Sequence, residues 1–217
     1  LWSSNRNGHL EIWASSPDGT GARQVSNDGE DAENPTQTLD GTWIVYYSSG
    51  RKHSGLWKVH PDGSGVQQLS QDVRVALPEV SPDGTCVLLR TRDQIEVSIR
   101  VVRVEDGKDV PFTIMLGPQR STGTYVGRAR WTPDGRRIVF TGQDEKGLIG
   151  AFIQDFVPGR DTTATRRPLA GFDRDWVTES LGLSPDGKRL VLSESERAFN
   201  LMIGDGVPGL ARREKAR

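Results

Sequence analysis

The tetrapeptide Ser-Pro-Asp-Gly, or a close variant of it, recurs along this chain, and its spacing limits the fold more than any other feature. It stands as Ser81-Pro82-Asp83-Gly84, Thr132-Pro133-Asp134-Gly135 and Ser184-Pro185-Asp186-Gly187, with a degenerate Thr38-Leu39-Asp40-Gly41 upstream. The four glycines are 43, 51 and 52 residues apart. Each copy leads into an apolar run: Ile44 to Tyr47, Val87 to Leu89, Ile138 to Phe140 and Leu190 to Leu192. Proline presets φ for the second position of a type I turn, and glycine accepts the left-handed conformation. The tetrapeptide therefore predicts a three-residue hairpin loop with a bulge.

A second series lies between these hairpins. Leu10-Glu11-Ile12-Trp13 runs into Pro17-Asp18-Gly19 and then Arg23-Gln24-Val25-Ser26. The pattern returns 44 residues later as Gly55 to Val59, Pro61-Asp62-Gly63 and Gln67 to Ser70, and again from Val97 through Asp106-Gly107 to Phe112. A fourth copy, Gly150 to Ile153 and Arg167 to Leu169, has a lengthened turn. Interleaving the two series gives four short strands every 43 to 52 residues, the period of a β-propeller blade with insertions in the longer units. The strands are apolar in runs instead of alternating, as expected where neighbouring blades cover both faces of a sheet. A β-sandwich also uses many short strands, but it does not require a hairpin signal at near-constant spacing.

The expected fold is thus all-β: a β-propeller of four to five four-stranded blades, forming an incomplete arc of a larger propeller. Repeats fill residues 1–209, with blades at approximately 1–26 (partial), 27–70, 71–113, 114–170 and 171–204 (partial), and a basic tail at 210–217. Leu1 to Arg6 aligns with Tyr46 to Arg51, so the chain is expected to enter at the second strand of a blade. No outer strand is expected after Phe199 to Ile203. These two features predict unpaired sheet edges and a place within a longer polypeptide.

Charge narrows the partners. Lys and Arg number 28 against 29 Asp and Glu, and only Ala211 to Arg217 is clearly basic, which argues against nucleic acid. No run approaches the 18 or so apolar residues of a membrane span. A single Cys86 excludes an internal disulfide and a multi-cysteine metal site.

Catalytic patterns are missing. No Gly-x-Ser-x-Gly elbow or phosphate-cradling loop is present, and Gly63-Ser64-Gly65 belongs to a hairpin turn. His9 and His53 occupy equivalent positions and should emerge on one face, with His60 on the other, so a three-His metal site is not expected. Asp28 to Asn34 lacks the order of a calcium loop and reads as a solvated connection between blades. The chain is accordingly expected not to be an enzyme, with no catalytic residue, metal or cofactor. Binding groups remain. Connections between blades converge on one mouth of the central channel and carry Asn34, Arg74, Tyr125, Arg128, Asp175 and Trp176. Trp176, placed in a polar connection before the strand Leu181 to Leu183, is the expected anchor, with Arg128 and Arg74 as polar contacts.

The order Ser4-Asn5-Arg6-Asn7-Gly8, Ile12-Trp13, Asp18-Gly19, Gln24-Val25-Ser26, Asn34-Pro35 and Asp40-Gly41 resembles the WD-like repeat of the TolB-type propeller family, whose propeller is six-bladed. Thr91 to Gln94 and Gly142 to Glu145 depart from the turn pattern, and Thr38 to Gly41 lacks its proline. The resemblance implies a bacterial, periplasmic or otherwise extracytoplasmic module for protein interaction or sensing. Its partner would be a protein or peptide, for example a periplasmic lipoprotein. Prolyl-oligopeptidase-type peptidases contain similar repeats, so the alternative is a gating propeller whose catalytic domain lies outside this chain.

Overall fold

The computed structural model describes residues 1–72, 75–93, 96–118, 127–173 and 176–196. They form five antiparallel sheets in which spatial order follows chain order. The first contains β1 (Trp2–Ser4), β2 (Glu11–Ala14) and β3 (Arg23–Gln24). The second contains β4 (Ala32–Gln37), β5 (Ile44–Ser48), β6 (Gly55–Val59) and β7 (Gln67–Ser70), and the third β8 (Val75–Val80), β9 (Cys86–Asp93), β10 (Glu96–Arg103) and β11 (Asp109–Pro118). In the fourth are β12 (Ala129–Trp131), β13 (Arg137–Gln143), β14 (Ile149–Asp155) and β15 (Arg167–Asp173), and in the fifth β16 (Trp176–Leu183) and β17 (Leu190–Glu196). The strand expected at Phe199 to Ile203 and the tail at 210–217 lie outside the described residues. Successive blades meet through β1 and β4, β4 and β8, β8 and β12, and β12 and β16. This is a propeller arc, and the lengthened connection of the fourth blade contains a 3-10 turn, Thr163–Thr165.

The apolar runs have the expected cause. In β5, Ile44 and Tyr46 pack against Ile12 and Val25 of the first blade, whereas Val45 joins Val80, Val87 and Leu89 of the third. Leu88 turns the other way, to Trp131, Ile138 and Phe140 of the fourth blade, and Val139 packs on Leu181 of the fifth. Alternate side chains on one strand therefore serve two blade interfaces. Each such fully buried side chain contributes on the order of 1.5–3 kcal/mol, so every internal blade depends on both neighbours.

The hairpin loops differ from expectation by one residue. Gly84, at φ 74°, donates its N–H to the Ser81 carbonyl at 2.9 Å, as a type I turn requires. The strands close, however, through Ser81 N–H to the Cys86 carbonyl at 2.8 Å, leaving four residues in the loop. The Cys86 amide donates to the Ser81 hydroxyl at 2.9 Å, so a side chain takes the place of a ladder carbonyl and lets Thr85 intervene. Thr132 and Ser184 accept in the same way from Arg137 and Arg189. Thr38 accepts from Trp43 at 3.0 Å although Leu39 replaces the proline. The hydroxyl and the Asp-Gly pair define the loop; proline is dispensable.

Candidate functional site

Inner strands run from the mouth where the blade connections arrive to an opposite end marked by the tetrapeptide loops. At the first mouth, Arg74, Tyr125 and Asp175 lie outside the described residues. Asn34 sits in β4 at φ 53°, where the register with β5 slips between Glu33 and Thr36. Its aligned residue Leu77 is at φ 56° beside the equivalent slip in β8. A left-handed leucine costs about 1–2 kcal/mol, and Pro35 and Pro78, which follow, lack the N–H needed to extend the ladder. Arg128, at the same level in the fourth blade, is half-buried, and its backbone N–H donates to Thr141 Oγ1 at 3.1 Å. Trp176 differs from expectation: it opens β16 and pairs with Glu196, so it belongs to the strand and not to the preceding connection. The ladder with β17 extends five residues beyond Leu181 toward the mouth.

Concave surface lies at the opposite end of the strands. A cleft of about 430 Å³ spans four blades, from Gln37 and Leu39 through Glu79 and Arg130 to Leu183. Thr36, Glu79, Arg130 and Gly182 occupy one aligned position, and Gln37, Val80, Trp131 and Leu183 the next. The apolar members of the second set close the blade interfaces, and the first set varies freely in chemistry. Arg130 Nη1 lies 3.1 Å from Glu79 Oε2 and donates to the Ala129 carbonyl at 3.0 Å. Trp131 Nε1 donates to the Glu79 backbone carbonyl at 3.2 Å, which locks the two inner strands together. Burial pushes the Glu79 carboxyl above the usual carboxylate range, with the Arg130 charge opposing it. At the rim, Leu39 is 86% exposed.

A second cleft of about 510 Å³ adjoins the first, lined by Pro82, Pro133, Trp131, Phe156 and the half-buried Cys86. The side chains that close the hairpins thus also wall the clefts. Their repetition is the signal for these walls that the sequence carries, and it reads there as turn geometry alone.

The acidic stretch is more structured than a solvated connection. Glu30 accepts the backbone N–H groups of Lys52 and His53 at 2.9 and 3.0 Å, and Asp31 accepts that of Leu10 at 3.0 Å. Asp28 accepts the Tyr46 hydroxyl at 3.1 Å, and the buried Glu11 accepts the Ser26 hydroxyl and the Gly29 amide. These carboxylates satisfy amides where two blades join. His60 stacks on Trp43 with ring centroids 3.8 Å apart, and His9 is exposed. Among the described residues, no three His, Cys, Asp or Glu side chains group in a way that could hold a metal ion.

No family model matches the sequence, and no curated protein matches it. Solved structures do. TolB from Acinetobacter baumannii superposes with a TM-score of 0.67 at 20% identity, over 88% of this chain and 44% of that one. The fold is that of a TolB-type propeller. A structure assigned to TolB of Agrobacterium tumefaciens gives a TM-score of 0.63 at 15% identity, over 86% of this chain and 70% of that one. A prolyl endopeptidase structure gives 0.57 at 15% identity, covering 78% of this chain but 25% of the peptidase. This chain therefore spans less than half the length of the A. baumannii TolB it resembles.

Proposed function

We propose that this chain is a non-catalytic propeller module of the bacterial periplasm that binds a protein or peptide partner across the end of its central channel. One observation carries the reading. Three consecutive inner strands offer Glu79, Arg130 and Gly182 at one aligned position along an open cleft, beside a neighbouring position whose apolar members close the blade interfaces. Glu79 and Arg130 pair with each other across two blades while still lining the cleft, and a recognition surface uses such groups with exposed apolar neighbours such as Leu39. A periplasmic lipoprotein or peptide fits the resemblance to TolB. Trp176 and Arg128 at the other mouth are a second contact region of the same module, with Asn34, Arg74, Tyr125 and Asp175 around them.

The peptidase-propeller match supports a second reading, a gating propeller beside an α/β-hydrolase domain. Two observations separate them. The complete reading frame either contains a hydrolase domain or does not. The purified chain, incubated with a chromogenic peptide substrate, should give no steady turnover; sustained hydrolysis would overturn the non-catalytic assignment.

A further inference from the structure

Arg166 sits at the end of the 3-10 turn, immediately before β15, and among the described residues the groups that hold its guanidinium are uncharged. Nε donates to Gln154 Oε1 at 2.9 Å, and Nη2 donates to the Met115 carbonyl of the third blade at 3.1 Å. The guanidinium carbon lies 5.3 Å from the centre of the Phe140 ring. Gln154 is itself 1% exposed, and its Nε2 donates to Thr162 Oγ1 at 3.0 Å. That hydroxyl spends its own hydrogen on the Asp155 carbonyl at 2.5 Å. The amide orientation is thus settled: the Gln154 oxygen can only face Arg166, and the guanidinium is fixed in direction.

What this arrangement lacks is an anion. A guanidinium has five N–H donors, of which two are engaged. Among the described residues no carboxylate forms an ion pair with it; Asp161 acts on it only from a distance. Half-buried cations are ordinarily paired, and an arginine does not escape the problem by losing its proton. The side chain faces a cleft of about 480 Å³ whose other walls are Phe152, Pro168, Gln143, Asp144 and Glu145. That volume is in the range of small-molecule sites. Asp144 uses Oδ1 to accept the Lys146 and Leu148 amides, so the acidic rim is built into the β13–β14 turn. The cleft therefore combines an oriented cation, an apolar wall of Phe152 and Pro168, and an acidic rim.

We infer that this cleft in the fourth blade binds an amino-acid-sized carboxylate, with the Arg166 guanidinium taking the carboxylate and Phe152 and Pro168 taking an apolar side chain. Arginine suits this task because its planar fork matches a carboxylate with two parallel hydrogen bonds. The site lies in the fourth blade, where Arg166 also touches the third, apart from the channel cleft, and does not depend on the interaction reading above. A free amino acid and the carboxyl terminus of a peptide share the required chemistry. They differ in that only the free amino acid brings an ammonium group to the acidic rim.

The test uses three probes on the purified chain: N-acetylphenylalanine, its primary amide, and free phenylalanine, each titrated by NMR with the Arg166 Nε–H signal as reporter. The acid should bind at least tenfold more tightly than the amide and shift that signal, and Arg166→Gln should abolish the preference. Tighter binding of free phenylalanine than of N-acetylphenylalanine assigns the site to a free amino acid, and the reverse order to a peptide terminus. Equal binding of acid and amide to the unaltered chain would overturn the proposal whether or not the variant folds. So would a preference for the acid that survives Arg166→Gln.

Discussion

Lys58 of the second blade donates to the Val104 carbonyl of the third, with its Nζ 2.9 Å from that oxygen and 2.8 Å from the carbonyl of Glu105. The same ammonium lies 4.4 Å from the centre of the Trp43 ring, which also stacks on His60. A residue only 4% exposed thus fastens two blades, and among the described residues no carboxylate is in hydrogen-bonding contact with it. Burial lowers its pKa, with the Glu105 and Asp106 charges opposing the shift.

Removing this ammonium should loosen the joint between the second and third blades. Lys58→Met keeps the stem but leaves two carbonyl oxygens without their donor, a loss of about 1–3 kcal/mol for unsatisfied buried groups. For a domain of this size each 1 kcal/mol moves the melting temperature by about 2–4 °C. Thermal unfolding of Lys58→Met should show a drop of that order, and an unchanged midpoint would remove Lys58 from the joint.

Glycines 19, 63 and 107 occupy equivalent places in three successive blades, all at positive φ. Their surroundings differ. A Cβ at Gly19 would meet nothing within 4 Å, at Gly63 it would lie 3.0 Å from the Val25 carbonyl, and at Gly107 1.9 Å from the Leu69 carbonyl. Alanine at any of the three pays the left-handed cost of about 1–2 kcal/mol, and at Gly107 it must also displace the backbone of the preceding blade. Urea unfolding should rank the losses Gly19→Ala, then Gly63→Ala, then Gly107→Ala. Equal losses would mean that the turns do not press on the neighbouring blade.

Acid and neutral pH should act on different carboxylates with opposite sign. The Thr38 hydroxyl, with the Thr42 amide and hydroxyl, holds Asp40 at about 2. Its stabilising effect is full above the unfolded value of 3.8 and fades as pH falls toward 2, so the urea midpoint should decline across that window, less steeply in Asp40→Asn. Asp28 shifts upward through burial, with the Tyr46 hydroxyl opposing the shift, the Glu11 charge adding to it, and His53 and Glu30 acting weakly in opposite senses. The folded chain then holds the Asp28 proton more tightly than the unfolded chain, and stability is lost as pH rises from 3.8 through the raised value. Asp28→Asn keeps an acceptor for Tyr46 and should gain stability relative to the unaltered chain as pH rises from 4 to 7. A constant difference across that range would contradict the shift.

The propeller was legible because its physics is periodic. Burial on both faces of each sheet writes consecutive apolar residues such as Ile44-Val45-Tyr46, and each hairpin needs its Asp-Gly pair. The site was less legible because its parts are solitary. Nothing near Lys58 or Arg166 in sequence announces a carbonyl 46 or 51 residues away. Trp176 reads as a polar connection because its neighbours are charged, yet its backbone pairs with Glu196. The channel cleft was hidden in a different way: Pro82 and Pro133 already had a role in turns, and their second role as walls depends on how blades stand side by side.

Where the partner touches the chain decides the account. A photo-crosslinking residue placed at Leu39, on the rim of the channel cleft, should form a discrete adduct in periplasmic extract, and Glu79→Ala with Arg130→Ala should abolish it. The same residue at Val66, which is 52% exposed in the turn between β6 and β7, is the control and should form none. Adducts at Val66 equal to those at Leu39, or adducts at Leu39 that ignore the loss of Glu79 and Arg130, would contradict binding at the channel end.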